Sequence, residues 1–114
     1  MPDFYLVSTE LRDAYERRGC RLVRRLRSEL RDDLALVEID PPLPRHVYDT
    51  EEDVRWLVLG SRLENMSLFQ LGGWPVPVYV CRLKVKGPPE GEAIASEDLT
   101  IIDWGEVWDD AHTK

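Results

Sequence analysis

The sequence predicts an α+β domain in which one long N-terminal helix packs on a mostly antiparallel sheet of about five strands, forming a two-layer sandwich. Two observations support this class. Apolar residues recur at helical spacing between positions 11 and 30, and short runs of branched and aromatic residues, separated by proline and glycine, follow them. The 114 residues have the length of one domain, 1–114, and no repeat or linker divides them.

The N-terminal third predicts one strand followed by the helix. Phe4–Ser8 (FYLVS) is a short apolar run of the kind found in strands, and Ser8 or Thr9 can then cap a helix with Glu10 in its first turn. At 100° per residue, six apolar side chains share an arc of about 120°, which predicts a helix of about 20 residues that is interrupted by Gly19. These side chains are Leu11, Tyr15, Leu22, Val23, Leu26 and Leu30.

The remainder of the chain predicts closely spaced strands. Leu34–Asp40 is the second strand, which Pro41 and Pro42 terminate. We expect this strand to pair in parallel with the first one through a right-handed crossover, because a helix lies between them. Further strands are predicted at Val54–Ser61, Ser67–Leu71, Val76–Val85 and Thr100–Trp104, and Trp104 and Trp108 are expected on one side of a final helical turn.

The composition excludes several classes of protein. A net charge of −7 argues against a general nucleic-acid binder, and the two cysteines, Cys20 and Cys81, are too few and too far apart for a zinc ribbon or a disulfide scaffold. The segment Met1–Thr9 lacks the pattern of a secretory signal, and no apolar run reaches the roughly 18 residues of a membrane span. We therefore expect a cytoplasmic protein with reduced thiols.

Arginine is concentrated in one segment. Seven arginines and a single acid, Glu29, lie between residues 17 and 31. The first 31 residues hold 8 basic and 5 acidic side chains, net +3, and the rest hold 7 basic and 17 acidic ones, net −10. Like charges on one helix face repel, so we expect an external anion against this face, either phosphate or carboxylates of a partner protein. The alternative is that acids of the same chain, or water and salt, neutralise it. The candidate anion-binding residues are Arg17, Arg21, Arg24, Arg27 and Arg31.

Acidic residues gather near the C-terminal end, where Trp104 and Trp108 lie among them. Aromatic rings supply contact area and carboxylates steer encounter, so this pattern is typical of a surface for a basic partner; a solvated turn whose tryptophans fill the core is the alternative. Trp74, between Gly73 and Pro75, is the best single candidate for an exposed aromatic contact, and a place in the core is the alternative. The candidate partner-binding residues are Trp74, Asp103, Trp104, Glu106, Trp108, Asp109 and Asp110.

Catalytic chemistry has little support in the sequence. His46 lies beside Arg45 and near Asp49 in a proline-bounded loop that could serve phosphodiester cleavage, but such loops are common. There is no glycine-rich phosphate loop, HExxH helix or nucleophile elbow. Asp40, His46 and Asp49 are a weak metal set, and we assign no catalytic residue, metal or cofactor.

Two functions follow from these observations. The first is a small acidic, non-catalytic protein that binds another macromolecule, such as an inhibitor or immunity-type protein that blocks a basic partner. The alternative is a regulatory module that holds nucleic acid or a phosphorylated ligand through its arginine-rich helix. Neither function involves a membrane, and the sequence makes no prediction of oligomeric state.

Overall fold

A computed structural model describes residues 3–8, 18–30, 33–46, 51–62, 76–83 and 90–108. Six antiparallel strands form a closed barrel in which each strand pairs with the next along the chain and the last pairs with the first. The strands are β1 (Phe4–Ser8), β2 (Arg18–Leu26), β3 (Leu34–Leu43), β4 (Val54–Ser61), β5 (Val76–Leu83) and β6 (Leu99–Trp108).

The predicted α+β sandwich is wrong, because the arginine-rich segment is a strand. Among the described residues the only helical element is a 3₁₀ turn at Ser96–Asp98, and Arg18–Leu26 pairs with β1 on one side and β3 on the other. A parallel pair of β1 and β3 is therefore also wrong, since β2 lies between them. The final helical turn is wrong as well, because Trp104 and Trp108 both belong to β6.

A β-bulge explains why β2 resembles a helix in sequence. Its register with β3 shifts between Leu22 and Arg24, so the alternation of inward and outward side chains changes phase there. Cys20 and Leu22 pack inside the barrel, whereas Leu26 packs outside it. Leu22, which points inward, and Leu26, which points outward, are four residues apart. This apolar spacing also fits a helix with 3.6 residues per turn.

The barrel interior is the main hydrophobic core. Every strand contributes apolar side chains to it, because alternate residues of each strand point to the same side of the sheet. Its fully buried larger members are Leu6, Val37, Ile39, Leu43, Leu57, Leu59, Val76 and Val78. At about 25 cal/mol per Å² of apolar surface, this burial is the largest favourable contribution to the stability of the barrel.

A second apolar cluster lies on the outer side of β2 to β5. Leu36 and Val58 alternate with inward residues of their strands, yet both are completely buried. Ile94 covers this cluster from residues 90–98, which we call the strap. The outer cluster comprises Leu26, Leu34, Leu36, Val58, Cys81, Leu83 and Ile94.

Backbone hydrogen bonds attach the strap to the end of β2. The Arg27 N–H donates to the Glu92 carbonyl at 2.7 Å, and the Ile94 N–H donates to the Arg27 carbonyl at 2.9 Å, which makes a parallel bridge between Arg27 and Ala93. The strap therefore pairs with the barrel wall and carries Ile94 onto the outer cluster.

Several predicted strands are confirmed, and some of them end at other residues than predicted. β1 and β4 have the predicted limits, whereas β3 continues past Pro41 and Pro42 to Leu43. β6 is longer than predicted, and the strand expected at Ser67–Leu71 lies outside the described residues. Among the described residues, no helix is both long and apolar enough to span a membrane.

Candidate protein-contact surface

An arginine and two aromatic side chains meet on the outer side of β4, β5 and β6. Tyr79 of β5 and Trp104 of β6 are cross-strand partners, and both point away from the barrel interior. Arg62 follows the last residue of β4, and its backbone N–H donates to the Pro77 carbonyl at 2.9 Å. Three neighbouring strands thus place the three side chains together.

The guanidinium of Arg62 lies against both rings. Its Cζ is 5.0 Å from the centre of the Trp104 ring and 5.7 Å from that of Tyr79. The two ring centroids are 5.0 Å apart, with an interplanar angle of 58°. These distances are in the range of cation–π and tilted aromatic contacts, which restrain all three side chains.

Large side chains of this surface remain accessible. Trp104 is 48% exposed and Ile101, further along β6, is 54% exposed, while Tyr79 is partly buried against the outer cluster. Glu106 is also exposed, two residues beyond Trp104 on the same side of the strand. We call Arg62, Tyr79, Ile101, Trp104 and Glu106 the aromatic face.

The predicted partner-binding residues separate into three groups. Trp104, Glu106 and Trp108 are on the outer side of β6, and Trp108 is half-buried at the position opposite Tyr5 of β1. Asp103 points inward and is only 4% exposed, and its carboxylate accepts a 2.8 Å hydrogen bond from the Trp104 N–H. Its side chain is therefore not on the outer surface. The residues Trp74, Asp109 and Asp110 lie outside the described residues.

Arg21, the first described candidate for anion binding, faces an acid of the same chain. Its Nη2 and Nε donate to one carboxylate oxygen of Glu38 at 2.9 and 3.0 Å. The two residues are direct cross-strand partners on β2 and β3. This pair partly offsets the positive charge of the arginine-rich strand, although a pair this exposed stabilises the fold by less than about 1 kcal/mol.

Two further candidates contact the strap. Arg24 donates from Nη1 to the Glu90 carbonyl at 2.5 Å, while its buried Nε has no hydrogen-bond partner. Arg27 lies 4.0 Å from the Glu92 carboxylate. The two remaining anion-binding candidates, Arg17 and Arg31, lie outside the described residues.

A pocket of about 240 Å³ beside the strap includes one of the anion-binding candidates, Arg27. It is lined by Arg25, Leu26, Arg27 and Glu92. The Glu92 carboxylate offsets part of the positive charge of Arg25 and Arg27, which weakens the attraction of this pocket for an anion.

The ionisable groups with altered pKa values lie away from the aromatic face. Burial raises the pKa of the Cys20 thiol to about 12, which keeps it protonated and a poor nucleophile. Hydrogen bonds from Ser96 lower the pKa of Glu29. Among the described residues no three His, Cys, Asp or Glu side chains form a metal-binding group; His46 is exposed after β3, and Asp49 lies outside them.

Sequence reasoning identified Trp104 but not Arg62, Tyr79 or Ile101. Tyr79 alternates with inward valines in β5, which indicates an outward position, but Arg62 carries no such signal. Its place over the rings depends on the order and register of three strands. Only the topology of the barrel brings these residues together.

Comparison of the chain with protein-family models, curated proteins and solved structures finds no match.

Proposed function

We propose that this chain is a small, acidic, non-catalytic protein of the reducing cytoplasm that binds another protein through its aromatic face. The observation that carries the proposal is the exposed Trp104 ring, which contacts both Tyr79 and Arg62 across three neighbouring strands. Trp, Tyr and Arg are the residue types that contribute most to binding energy at protein interfaces. Their restraint before binding reduces the entropy that association would cost.

The more specific form of the proposal is an inhibitor or immunity-type protein that blocks a basic partner. The net charge of −7 supports it, because an acidic protein attracts a basic one at long range and raises the association rate. Glu106 is the exposed carboxylate beside Trp104 in the described part of the chain. The aromatic face would supply affinity, and the overall charge would supply steering.

The arginine-rich strand supports the alternative function less well. Arg21, Arg24 and Arg27 already lie against acids or carbonyls of the same chain. A phosphate would have to replace these contacts, and it would approach a protein with a net negative charge. We therefore propose protein binding rather than nucleic-acid or phosphate binding.

Affinity capture from a native cytoplasmic extract tests the proposal. Wild-type protein and a Trp104→Ala variant are used as baits, and captured proteins are quantified by mass spectrometry. Loss of the ring should reduce capture of the specific partner by at least about tenfold, since central interface tryptophans often contribute 2 kcal/mol or more.

Leu30→Ala is the matched control. Leu30 is a large apolar side chain that is 77% exposed in the bend after β2, and it is not one of the residues of the aromatic face. This variant should capture the partner as well as wild type does. Equal capture by Trp104→Ala and wild type, with both proteins folded, would exclude the aromatic face as the contact surface.

A further inference from the structure

We propose that the aromatic face also binds a second copy of this chain, in a two-fold symmetric dimer in which Arg62 of each copy faces Glu106 of the other. The inference rests on the proposed function in one respect, namely that this face is a contact surface. It adds that one partner is a second copy of this chain, because the positive and negative charges on the face are placed so that two copies complement each other.

The register of β4, β5 and β6 places two opposite charges in one row. The Arg62 N–H donates to the Pro77 carbonyl, and Pro77 is the cross-strand partner of Glu106. Arg62, Pro77 and Glu106 therefore form one row across three strands, with Pro77 in the middle. Strands lie about 4.8 Å apart, so the backbones that carry the two charges are roughly 10 Å apart and equally distant from β5.

Face-to-face symmetry converts this row into two ion pairs. A two-fold axis that lies in the interface and runs along β5 exchanges the sides of β4 and β6. Arg62 of one copy then faces Glu106 of the other, and the reverse contact follows from the same axis. Pro77 and Tyr79 lie on the axis and face their own counterparts. Such an isologous contact closes on itself and produces a dimer.

The side chains are prepared for these contacts. Within the described residues neither Arg62 nor Glu106 has an ion pair, and both are exposed. Stacking on the Trp104 and Tyr79 rings restrains Arg62 while the N–H groups at the edge of its guanidinium can still bind a carboxylate. The exposed Trp104 and Ile101 supply apolar area beside the ion pairs.

Charge reversal tests this arrangement in the intact protein. Sedimentation equilibrium is measured for wild type, Arg62→Glu, Glu106→Arg and an equimolar mixture of the two variants. Wild type should dimerise, and each variant alone should dimerise at least about tenfold more weakly because like charges meet at both contacts. The mixture should dimerise again, since the two-fold axis then places opposite charges at both contacts.

Arg55→Glu is the control, because Arg55 is an exposed arginine of β4 that does not belong to the aromatic face. It should leave dimerisation unchanged, and circular dichroism should confirm that every variant is folded. A wild-type protein that stays monomeric at 500 µM, or single variants that dimerise as well as wild type, would overturn the inference.

Different experimental outcomes would exclude the dimer and the proposed function. If wild type is monomeric but Trp104→Ala loses the captured partner, the protein-binding proposal stands and only the dimer is excluded. If the charge-reversal series behaves as expected but Trp104→Ala captures the partner normally, the dimer stands and the face is excluded as the site for that partner.

Discussion

Cys20 and Cys81 lie in two different hydrophobic clusters of the same barrel. Cys20 is completely buried in the interior, and Cys81 is buried in the outer cluster, to which the strap contributes Ile94. Both are thiols rather than halves of a disulfide. A closed barrel normally buries one side of its wall, so a covered outer side gives this protein two cores that can open independently.

The two thiols should therefore react with alkylating reagents at different rates. Exposure of Cys81 requires only displacement of the strap, whereas exposure of Cys20 requires the barrel to open. The pKa of Cys20, raised to about 12, slows its reaction further. We expect iodoacetamide to modify Cys81 first under native conditions, as measured by peptide mapping; equal rates would contradict the independence of the two clusters.

Shortening the apolar side chain of the strap should accelerate the reaction of Cys81 alone. Ile94 covers the outer cluster and is 9% exposed, so Ile94→Ala should weaken strap attachment by about 2 kcal/mol. If the strap opens rapidly before modification, the rate at Cys81 should rise about 30-fold and the rate at Cys20 should change little. Ala93→Gly, an exposed change in the same strap, is the control for altered backbone entropy.

Because side chains alternate between the two sides of a strand, truncating an inward side chain and truncating an outward one should change the free energy of unfolding by different amounts. Leu59 is completely buried inside the barrel, so Leu59→Ala should lower the free energy of unfolding by about 3 kcal/mol. Ile101 is mostly exposed, and Ile101→Ala should change it by less than about 0.5 kcal/mol. Urea denaturation followed by tryptophan fluorescence measures both values. A large cost at Ile101 would mean that this side chain is not on an open surface.

The sequence contained enough information for most strands but not for the fold class. β1 and β4 were predicted with their exact limits, because branched and aromatic residues and flanking turn signals mark them locally. β2 was missed because its bulge disrupts the two-residue period that identifies a strand. Because β2 was predicted to be a helix, the predicted fold class was a helix on a sheet instead of a closed barrel.

The candidate site was predicted only where it depends on one strand. Trp104 and Glu106 are neighbours in sequence, so composition alone indicated that they belong together. Arg62 and Tyr79 join them through strand pairing, which composition does not encode. Asp103 shows the opposite error: a run of acids and tryptophans suggested one surface, but a strand sends alternate side chains to opposite sides.

The strap should also weaken at low pH through Glu29. Its carboxylate accepts hydrogen bonds from the backbone N–H of Ser96, at 3.1 and 3.3 Å, and from the Ser96 hydroxyl. These bonds lower the pKa of Glu29 below its usual 4.5. A lowered pKa in the folded state stabilises the fold above about pH 4.5, and the contribution is lost as the pH falls through the folded value.

Glu29→Gln should therefore destabilise the protein more at pH 7 than at pH 3. Urea unfolding of wild type and variant at both values measures the difference, which should shrink as the wild-type carboxylate becomes protonated. Glu97→Gln, a change in an exposed acid of the same strap, is the matched control. A wild-type to Glu29→Gln difference that stays constant from pH 7 to pH 3 would show that the charged carboxylate does not hold the strap.

The pair Arg21 and Glu38 is one of the contacts that neutralise the arginine-rich strand within the chain. Its side chains are 58% and 24% exposed, so solvent screens their attraction. A double-mutant cycle with Arg21→Ala and Glu38→Ala should give a coupling of about 0.5 kcal/mol in low salt and less in 1 M salt. No coupling at any salt concentration would mean that the contact does not stabilise the fold. The positive charge of β2 would then be available to an outside anion, which would favour the alternative function over protein binding.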